Sequence, residues 1–339
     1  MKKLYRYFDN KNILITGGGG FIGTNLARRL VSNYNCNVTV ADIRFIDWYL
    51  EDIDRKLEKI RVDIRDYWRC LKLTRRKDIV FHLSANMGGI GFIVINRANV
   101  MRDNLRMNVN MLEASKENNV ERFFFSSSAC VYPEEKQTTP DVKPLREEDA
   151  IPANPDTYYG WEKLTTEKLC EAYYLDYELE TRVARFHNIY GEYCSFDERG
   201  KAPAHLIGKA LLYPRVRFTI WGDGRQTRSF CYIEDCLDAV LLLTSSDIRE
   251  PLNIGSDRLV TIDELANMII KISGKYIEKE YIETGIQGVR GRNADLTKIR
   301  QLLGWYPKYS LEEGLERTFT WALKNINRID WSYLLRSIS

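Results

Sequence analysis

Residues 11–42 read KNILITGGGGFIGTNLARRLVSNYNCNVTVAD, and this stretch restricts the fold more tightly than any other. A short apolar run enters Gly17, Gly20 and Gly23, spaced GxxGxxG. A helical pattern follows, and a second apolar run ends in Asp42. The order is strand, glycine turn, helix, strand. Such a turn leaves the first N–H groups of the helix free for an anion, and an acid closing the second strand faces a ribose. The segment is expected to bind a dinucleotide, with Gly17, Gly20, Phe21, Ile22 and Gly23 at the phosphates and Asp42 on the adenosine ribose. A carboxylate there repels a 2′-phosphate, so NAD is expected over NADP. Arg44, two residues on, is the nearby cation that pulls the other way. Asp63 and Ile64, after the third strand, are candidates for the adenine edge; the alternative for Asp63 is a helix cap.

The alternation continues along the chain. Apolar runs fall at 13–16, 37–41, 59–62, 78–83, 122–126 and 182–186. Helical patterns fall at 21–33, between the third and fourth runs, at 98–118 and at 158–175. Leu105, Val109 and Leu112 keep helical spacing in the third of these. Strands alternating with helices of about 10–20 residues predict an α/β fold: a Rossmann-like, doubly wound, mostly parallel sheet covered on both faces. After Tyr190 the texture becomes polar and glycine-bearing. A WGDG turn, a helical run, an LNIG strand and a helix capped by Thr261 and Glu264 and closed by Gly274 follow. Residues 285–292 read as a glycine- and arginine-rich loop. The expected division is an NAD-binding domain over 1–184 with 230–254 folding back onto it, and a smaller α/β substrate domain from 185–229 and 255–339.

Bulk properties narrow the partners. The 339 residues carry a net charge of +3, too little to indicate DNA or RNA, with room for a local basic pocket. No apolar run approaches about 18 residues, so no membrane span is expected. The first twelve residues, MKKLYRYFDNKN, lack the apolar stretch and small-residue cleavage site of a secretory signal. Seven cysteines, none in a CxxC, are expected mostly as small buried residues in a reducing compartment, so a cytoplasmic location is expected. His82, His187 and His205 lack metal-ligand spacing, and no metal site is expected.

The second chemical signal is Tyr159 and Lys163 in TYYGWEKLTTEKL. In a helix, residues i and i+4 share a face. A nearby ammonium stabilises tyrosinate, so the tyrosine can take a hydroxyl proton during hydride transfer. The lysine can also reach the nicotinamide ribose. Ser128, closing the RFFFSSS run, is expected to hydrogen-bond the reacting hydroxyl or carbonyl.

GGGGFIG, the YxxxK pair and the strand-end serine resemble the extended short-chain dehydrogenase/reductase superfamily. FHLSANMGGIGFI, FFFSSSACVYPE, YYGWEKLTTEKLCEAYY, RFHNIYGE, RGKAPAHL, WGDGRQTRSFCYIEDC, EPLNIGSD and GVRGRN together resemble the GDP-mannose 3,5-epimerase family, over about residues 11 to 320. The resemblance implies that Cys130 and Lys201 are an acid/base pair acting on the sugar ring. It fits the chemistry: once C4 is a ketone, protons on C3 and C5 become acidic, a thiolate can take one, and a group on the opposite face must return it. Unperturbed thiols titrate near ~8.5, and a neighbouring cation lowers that. Met87, Gly88 and Gly89 are expected to approach the sugar, with glycine backbone offering N–H groups. Asn188, Arg228, Arg290 and Arg292 are expected at sugar or diphosphate, with Arg292 the first choice for the diphosphate fork and Arg290 its rival.

The resemblance thus implies an NAD-dependent epimerase acting on a nucleotide sugar, most simply a GDP-hexose. The rivals are a 4-epimerase or 4,6-dehydratase on another nucleotide sugar, and a nucleotide-binding regulator without turnover. The superfamily resemblance also implies a homodimer through the helices around 98–118 and 157–175, with Leu105, Met107, Leu169 and Tyr173 as candidate contacts. Two places depart from the family pattern. Between IYG and KAP the chain has EYCSFDER where the family typically has PFGTWKGG and a further basic segment. Asn86 stands where an aspartate is usual. Both bear on which sugar is held more than on the reaction class.

Overall fold

The computed structural model describes residues 6–197, 199–283 and 288–336. Of the expected 285–292 loop, residues 285–287 therefore lie outside the described residues. In chain order the strands are β1 Asn12–Thr16, β2 Asn37–Asp42, β3 Leu57–Arg61, β4 Ile79–His82, β5 Arg122–Ser128, β6 Thr181–Phe186, β7 Ile189–Tyr190, β8 Phe218–Trp221, β9 Thr227–Ser229, β10 Cys231–Tyr232, β11 Leu252–Ile254, β12 Leu259–Thr261, β13 Lys279–Ile282 and β14 Gly291–Arg292. The helices are α1 Phe21–Asn33, α2 Tyr67–Thr74, α3 Ile90–Ile95, α4 Arg97–Glu117, α5 Tyr158–Tyr177, α6 Ala202–Leu212, α7 Ile233–Ser245, α8 Ile262–Ser273, α9 Thr297–Leu303, α10 Leu311–Lys324 and α11 Ser332–Arg336.

Seven strands form one sheet in the order β11-β6-β5-β4-β1-β2-β3, and every pairing in it is parallel. The order reverses between β1 and β4, and in a doubly wound sheet that reversal opens a crevice at the carboxyl ends of the strands. Alternation along each strand splits the core in two. Ile13, Ile15, Phe81 and Phe124 pack with α1 and α7 on one face. Leu14, Val80, Phe123 and Phe125 pack with α2, α4 and α5 on the other. The first face runs without a break into Leu265, Ile269, Leu315 and Phe319 of α8 and α10.

The smaller sheets carry the rest of the cleft. β9 lies between β12 and β14, while β8 pairs with β13. The expected capping box of α8 is present: Thr261 Oγ1 accepts from the Glu264 N–H at 3.0 Å, and the Thr261 N–H donates to the Glu264 carboxylate at 2.7 Å. Gly274 ends that helix in the left-handed region.

Of the side chains offered as dimer contacts, Leu105, Met107, Leu169 and Tyr173 are all half-buried, and the last three also pack against the core over the sheet. The apolar side chains that α4 and α5 do expose are Val109, Tyr158, Trp161, Leu175 and Tyr177. Among the described residues no helix is long and apolar enough to cross a membrane, and no cluster of His, Cys, Asp and Glu could hold a metal ion.

Candidate active site

The glycine turn is built as a cradle. Gly17 sits at φ +72°, and a Cβ on Gly23 would stand 2.2 Å from the Gly17 carbonyl oxygen, so only glycine lets α1 close on β1. At Gly20 an added Cβ would meet only the Gly17 oxygen, at 3.3 Å, among the described residues. Gly20 is exposed and brings no capping side chain, which leaves the first-turn N–H groups of Phe21, Ile22 and Gly23 to a ligand. Asp42 Oδ2 accepts from the Gly19 N–H at 3.0 Å and Oδ1 from the Arg44 N–H at 3.1 Å. Burial pushes the Asp42 carboxyl above its usual range, and the backbone donors offset this. An ionised acid tied to the turn at one edge suits two ribose hydroxyls. The Arg44 guanidinium points instead to Asp197, at 3.6 Å. The cradle and the acid fit NAD.

The adenine-edge candidates divide. Asp63 is engaged by Arg65, which donates Nε at 3.0 Å and Nη2 at 2.6 Å, and this pairing holds the carboxyl below its usual range. The helix cap that was its alternative belongs to Asp66, which accepts from the Arg69 N–H. The Ile64 side chain is buried in the core beside Cys70.

Tyr159 and Lys163, the pair expected to serve hydride transfer, stand where β5 meets α5. Of the two adjacent tyrosines, Tyr158 is 52% exposed and Tyr159 only 5%, which fixes the register. The Ser128 hydroxyl faces the Tyr159 phenol and favours its ionised form. Lys163 Nζ lies 5.5 Å from the Tyr159 ring centre and 4.7 Å from that of Phe125. The expected lowering of the phenol by the ammonium is not what the packing gives. Burial pushes Tyr159 well above its ordinary value, with Glu162 and Cys130 adding to it, while burial pulls Lys163 down. The interior disfavours both charges, so their ionised forms depend on neighbours.

Cys130 follows directly. The Ser128 hydroxyl accepts from the Cys130 N–H at 3.2 Å and caps the short turn Ala129–Val131. Tyr159, Met87, Phe92 and Cys130 gather in one cluster with Ile93 and Val100. The turn is clamped from behind, because a Cβ on Gly160 would stand 2.0 Å from the Cys130 carbonyl oxygen. Gly88 and Gly89 line the facing loop. A Cβ on Gly88 would strike Phe92 at 2.8 Å, and one on Gly89 would lie 3.3 Å from the Gly200 carbonyl.

Lys201 N-caps α6 beside that Gly200 contact. It keeps accessible surface, yet burial pulls its ammonium below the usual lysine value, and the Arg292 charge adds to the shift. Its ammonium is open to solvent on one side and within electrostatic reach of Cys130, Cys236 and Arg292 on the other. The preceding loop is anchored by the C-terminal segment. Phe196 packs on Trp331 with ring centres 4.8 Å apart, His205 stacks on Tyr333 at 5.4 Å, and His205 Nε2 meets the Asp197 carbonyl at 2.8 Å.

The arginines separate sharply. Arg292 is buried. Its Nε donates to Gln137 Oε1 at 2.5 Å, Nη1 to Cys130 Sγ at 3.3 Å and Nη2 to Asp156 Oδ2 at 3.4 Å. All three nitrogens are thus taken up around the cysteine rather than forked outward. Arg228 lies opposite Arg292 on the neighbouring strand. Burial, and then the Arg292 charge, pull it down to about 9. Its Nη groups donate to the Thr227 and Val289 carbonyls. Arg290 points to Asp223 at 2.6 Å. Asn188, at φ +43°, donates to the Ser229 carbonyl at 2.9 Å. Sequence reading missed Gln137, Asp156 and Glu162. Of these only Glu162 adjoins a residue the sequence singled out, Lys163.

These features find their counterparts in known proteins. Residues 13–255 match the NAD dependent epimerase/dehydratase family. GDP-mannose 3,5-epimerase 1 from Oryza sativa subsp. indica is 46% identical over 321 residues, covering 94% of this chain and 84% of that protein. The chain belongs to the GDP-mannose 3,5-epimerase family. The Arabidopsis thaliana GDP-mannose 3,5-epimerase is 44% identical over the same share of both chains. Among solved structures, a UDP-glucose 4-epimerase from Thermotoga maritima matches with a TM-score of 0.84 at 30% identity, over 93% of this chain and 99% of its own. The protein is an NAD-dependent nucleotide-sugar epimerase. In this chain Gly17 and the Ser128–Cys130 turn follow the carboxyl ends of β1 and β5 in the same parallel sheet.

Proposed function

We propose that this epimerase acts on GDP-mannose and inverts C5, and C3 with it, through a 4-keto sugar, giving GDP-L-galactose and GDP-L-gulose. The observation that supports this is the convergence of two chemistries on one cleft: Tyr159 and Cys130 share a side-chain cluster, and Lys201 approaches from the facing loop. A plain 4-epimerase requires only the first chemistry.

NAD, held by the Gly17–Gly23 turn and Asp42, would supply a reversible hydride acceptor for C4. Tyr159 accepts the C4 hydroxyl proton, oriented by Ser128, with Lys163 supplying the compensating charge. Cys130 removes a ring proton beside the ketone, and Lys201 returns one from the other face. The Arg292 guanidinium, donating to Sγ at 3.3 Å, holds the sulfur in position. Arg228 supplies positive charge for the diphosphate. The Met87–Gly88–Gly89 backbone faces the sugar. Residues 185–229 and 255–339 form the substrate side, and residues 1–184 with 230–254 the cofactor side. A second copy docks on the outer face of α4 and α5, where Val109, Trp161 and Tyr177 stand exposed; sedimentation at micromolar concentration showing only a ~40 kDa species would refute that.

The deciding experiment is incubation with GDP-mannose in deuterated water, followed by product NMR. Deuterium should enter at C3 or C5 and never at C4. The likeness to the UDP-glucose 4-epimerase favours a second reading, 4-epimerisation. A C4-inverted product without ring deuterium would replace the first reading with that one.

A further inference from the structure

Beneath Lys163 lies a carboxylate that the chemistry above leaves without a task. Glu162 is fully buried, and its Oε1 stands 3.9 Å from Lys163 Nζ. Asn104 Nδ2 donates to Oε1 at 2.8 Å and Asn108 Nδ2 to Oε2 at 3.0 Å, both from α4. Asn108 Oδ1 meets His82 Nε2 at 2.9 Å, and His82 Nδ1 meets Thr16 Oγ1 at 2.7 Å at the end of β1. The Asn104 side chain also accepts the Asn86 N–H at 2.6 Å. A hydrogen-bonded chain thus joins the strand ends of β1 and β4 to the helix that carries Tyr159 and Lys163.

Burying a carboxylate is costly unless it is paired and hydrogen-bonded. Here two amides and one ammonium meet it. We propose that Glu162 is a positioning residue for hydride transfer, the fixed counter-ion that keeps Lys163 an ammonium inside the protein. The proposal rests on the reading that Tyr159 and Lys163 serve hydride transfer.

The charged and titratable groups facing the carboxylate are few. On α5 they are Lys163 and, within reach, Tyr159. Glu167 is bound by Arg185 at 2.7 Å. From α4 the neutral Asn104 and Asn108 face it. From β4 comes His82, which burial pulls down to about 3 and which therefore stays neutral. Cys130 approaches from the turn after β5. Burial pulls Lys163 down and pushes the Glu162 carboxyl up, and each opposes this in the other, with Asn104 and Asn108 also favouring the carboxylate; Glu162 raises Tyr159 as well. Removing its charge should therefore move both neighbours in one direction, to lower pH, by about 1–3 units.

The test is Glu162→Gln in the NAD-loaded protein, with Glu162→Met as its second variant. Asn104 Nδ2 keeps the Asn86 carbonyl at 3.4 Å and Asn108 Nδ2 keeps Thr166 Oγ1 at 2.8 Å, so neither amide is orphaned by methionine. The first readout is the 15N signal of the Lys163 ammonium, assigned by its loss in Lys163→Met, followed against pH without any sugar. The second is the pH profile of single-turnover cofactor reduction at 340 nm. The expected result is a Lys163 titration lowered by about 1–3 units, with both limbs of the profile moving the same way and Glu162→Asp restoring most of it. A Lys163 titration unchanged in either folded variant overturns the proposal, even if the rate falls, because a purely structural role lowers amplitude and leaves the limbs in place. Failure of GDP-mannose to reduce the cofactor would instead refute the substrate reading, and the lysine titration would still decide on Glu162.

Discussion

The corner proposed for hydride transfer and the corner proposed for ring-proton transfer are held by opposite means. Ser128, Tyr159 and Lys163 stand on β5 and α5, two regular elements packed face to face, with Lys163 and Tyr159 at 1% and 5% exposure. Their positions follow from backbone ladders and an i, i+4 step. Cys130 and Lys201 stand on a short turn and a loop end. Those are fixed by single contacts: Gly160 behind the cysteine, Arg292 on its sulfur, and Trp331 and Tyr333 behind the lysine loop. The first corner needs rigidity, because hydride transfer tolerates little misplacement. The second can be altered one contact at a time without touching the sheet, and it lies beside the loop where the chain departs from its family pattern.

If that contrast is right, the heaviest loss comes from the residue both corners depend on. Tyr159→Phe should lower C4 oxidation by about 10²–10⁴-fold, and ring exchange should fall with it, since no ketone forms. Cofactor absorbance and deuterium NMR read the two separately. Exchange that survives in this variant would break the order of the two corners.

Cys130→Ala should divide them. C4 oxidation and NAD binding should persist, while ring deuteration falls by about 10²–10⁴-fold. Lys201→Ala should abolish inversion yet keep partial exchange, because the thiolate can return a proton to the face it came from. Full epimerisation without the sulfur would reduce Cys130 to packing.

The pH dependence sharpens the contrast further. Lys201 must be an ammonium to return a proton, and burial followed by the Arg292 charge holds it below the ordinary value of 10.5. Its ammonium is lost as pH rises through that lowered value, so inversion should fail at a lower pH than a solvated lysine would dictate. Lys201→Arg should carry that limb upward if the longer side chain still reaches the ring. A limb that stays in place after the substitution would assign it to another group.

The smallest effect should come from the outside. Trp331→Ala removes the wall behind Phe196 and should cost about 3–5 kcal/mol of stability, read by urea unfolding. Inversion should slow severalfold as the Lys201 loop loosens, with C4 oxidation nearly unchanged. Equal losses in both steps would show that the C-terminal segment supports the whole fold rather than one corner.

The primary structure determined a great deal of this. The glycine triplet, the acid at Asp42 and the strand-helix alternation specify the parallel sheet, because local turn chemistry and hydrophobic period act within a few residues of each other. The helix starting at Phe21 and the capping box at Thr261 were legible to the residue for that reason. Tyr159 and Lys163 could be paired because a helix fixes what lies four residues on. What the chain could not announce is anything joining distant segments. Arg292 looked like a phosphate fork, and only the fold brings it 3.3 Å from a sulfur 162 positions earlier in the chain. Arg290 was its rival for that role, and its side chain points out to Asp223 instead. Met107, Leu169 and Tyr173 looked available to a partner, and the fold also packs them, half-buried, against the core over the sheet. Glu162 sat in plain sight beside Lys163, but its partners Asn104 and Asn108 come from another helix. Local sequence sets backbone geometry and which face of an element is apolar. Which polar groups meet in the interior is decided by the packing of one element on another, and there a single register step or a missing Cβ selects the partner.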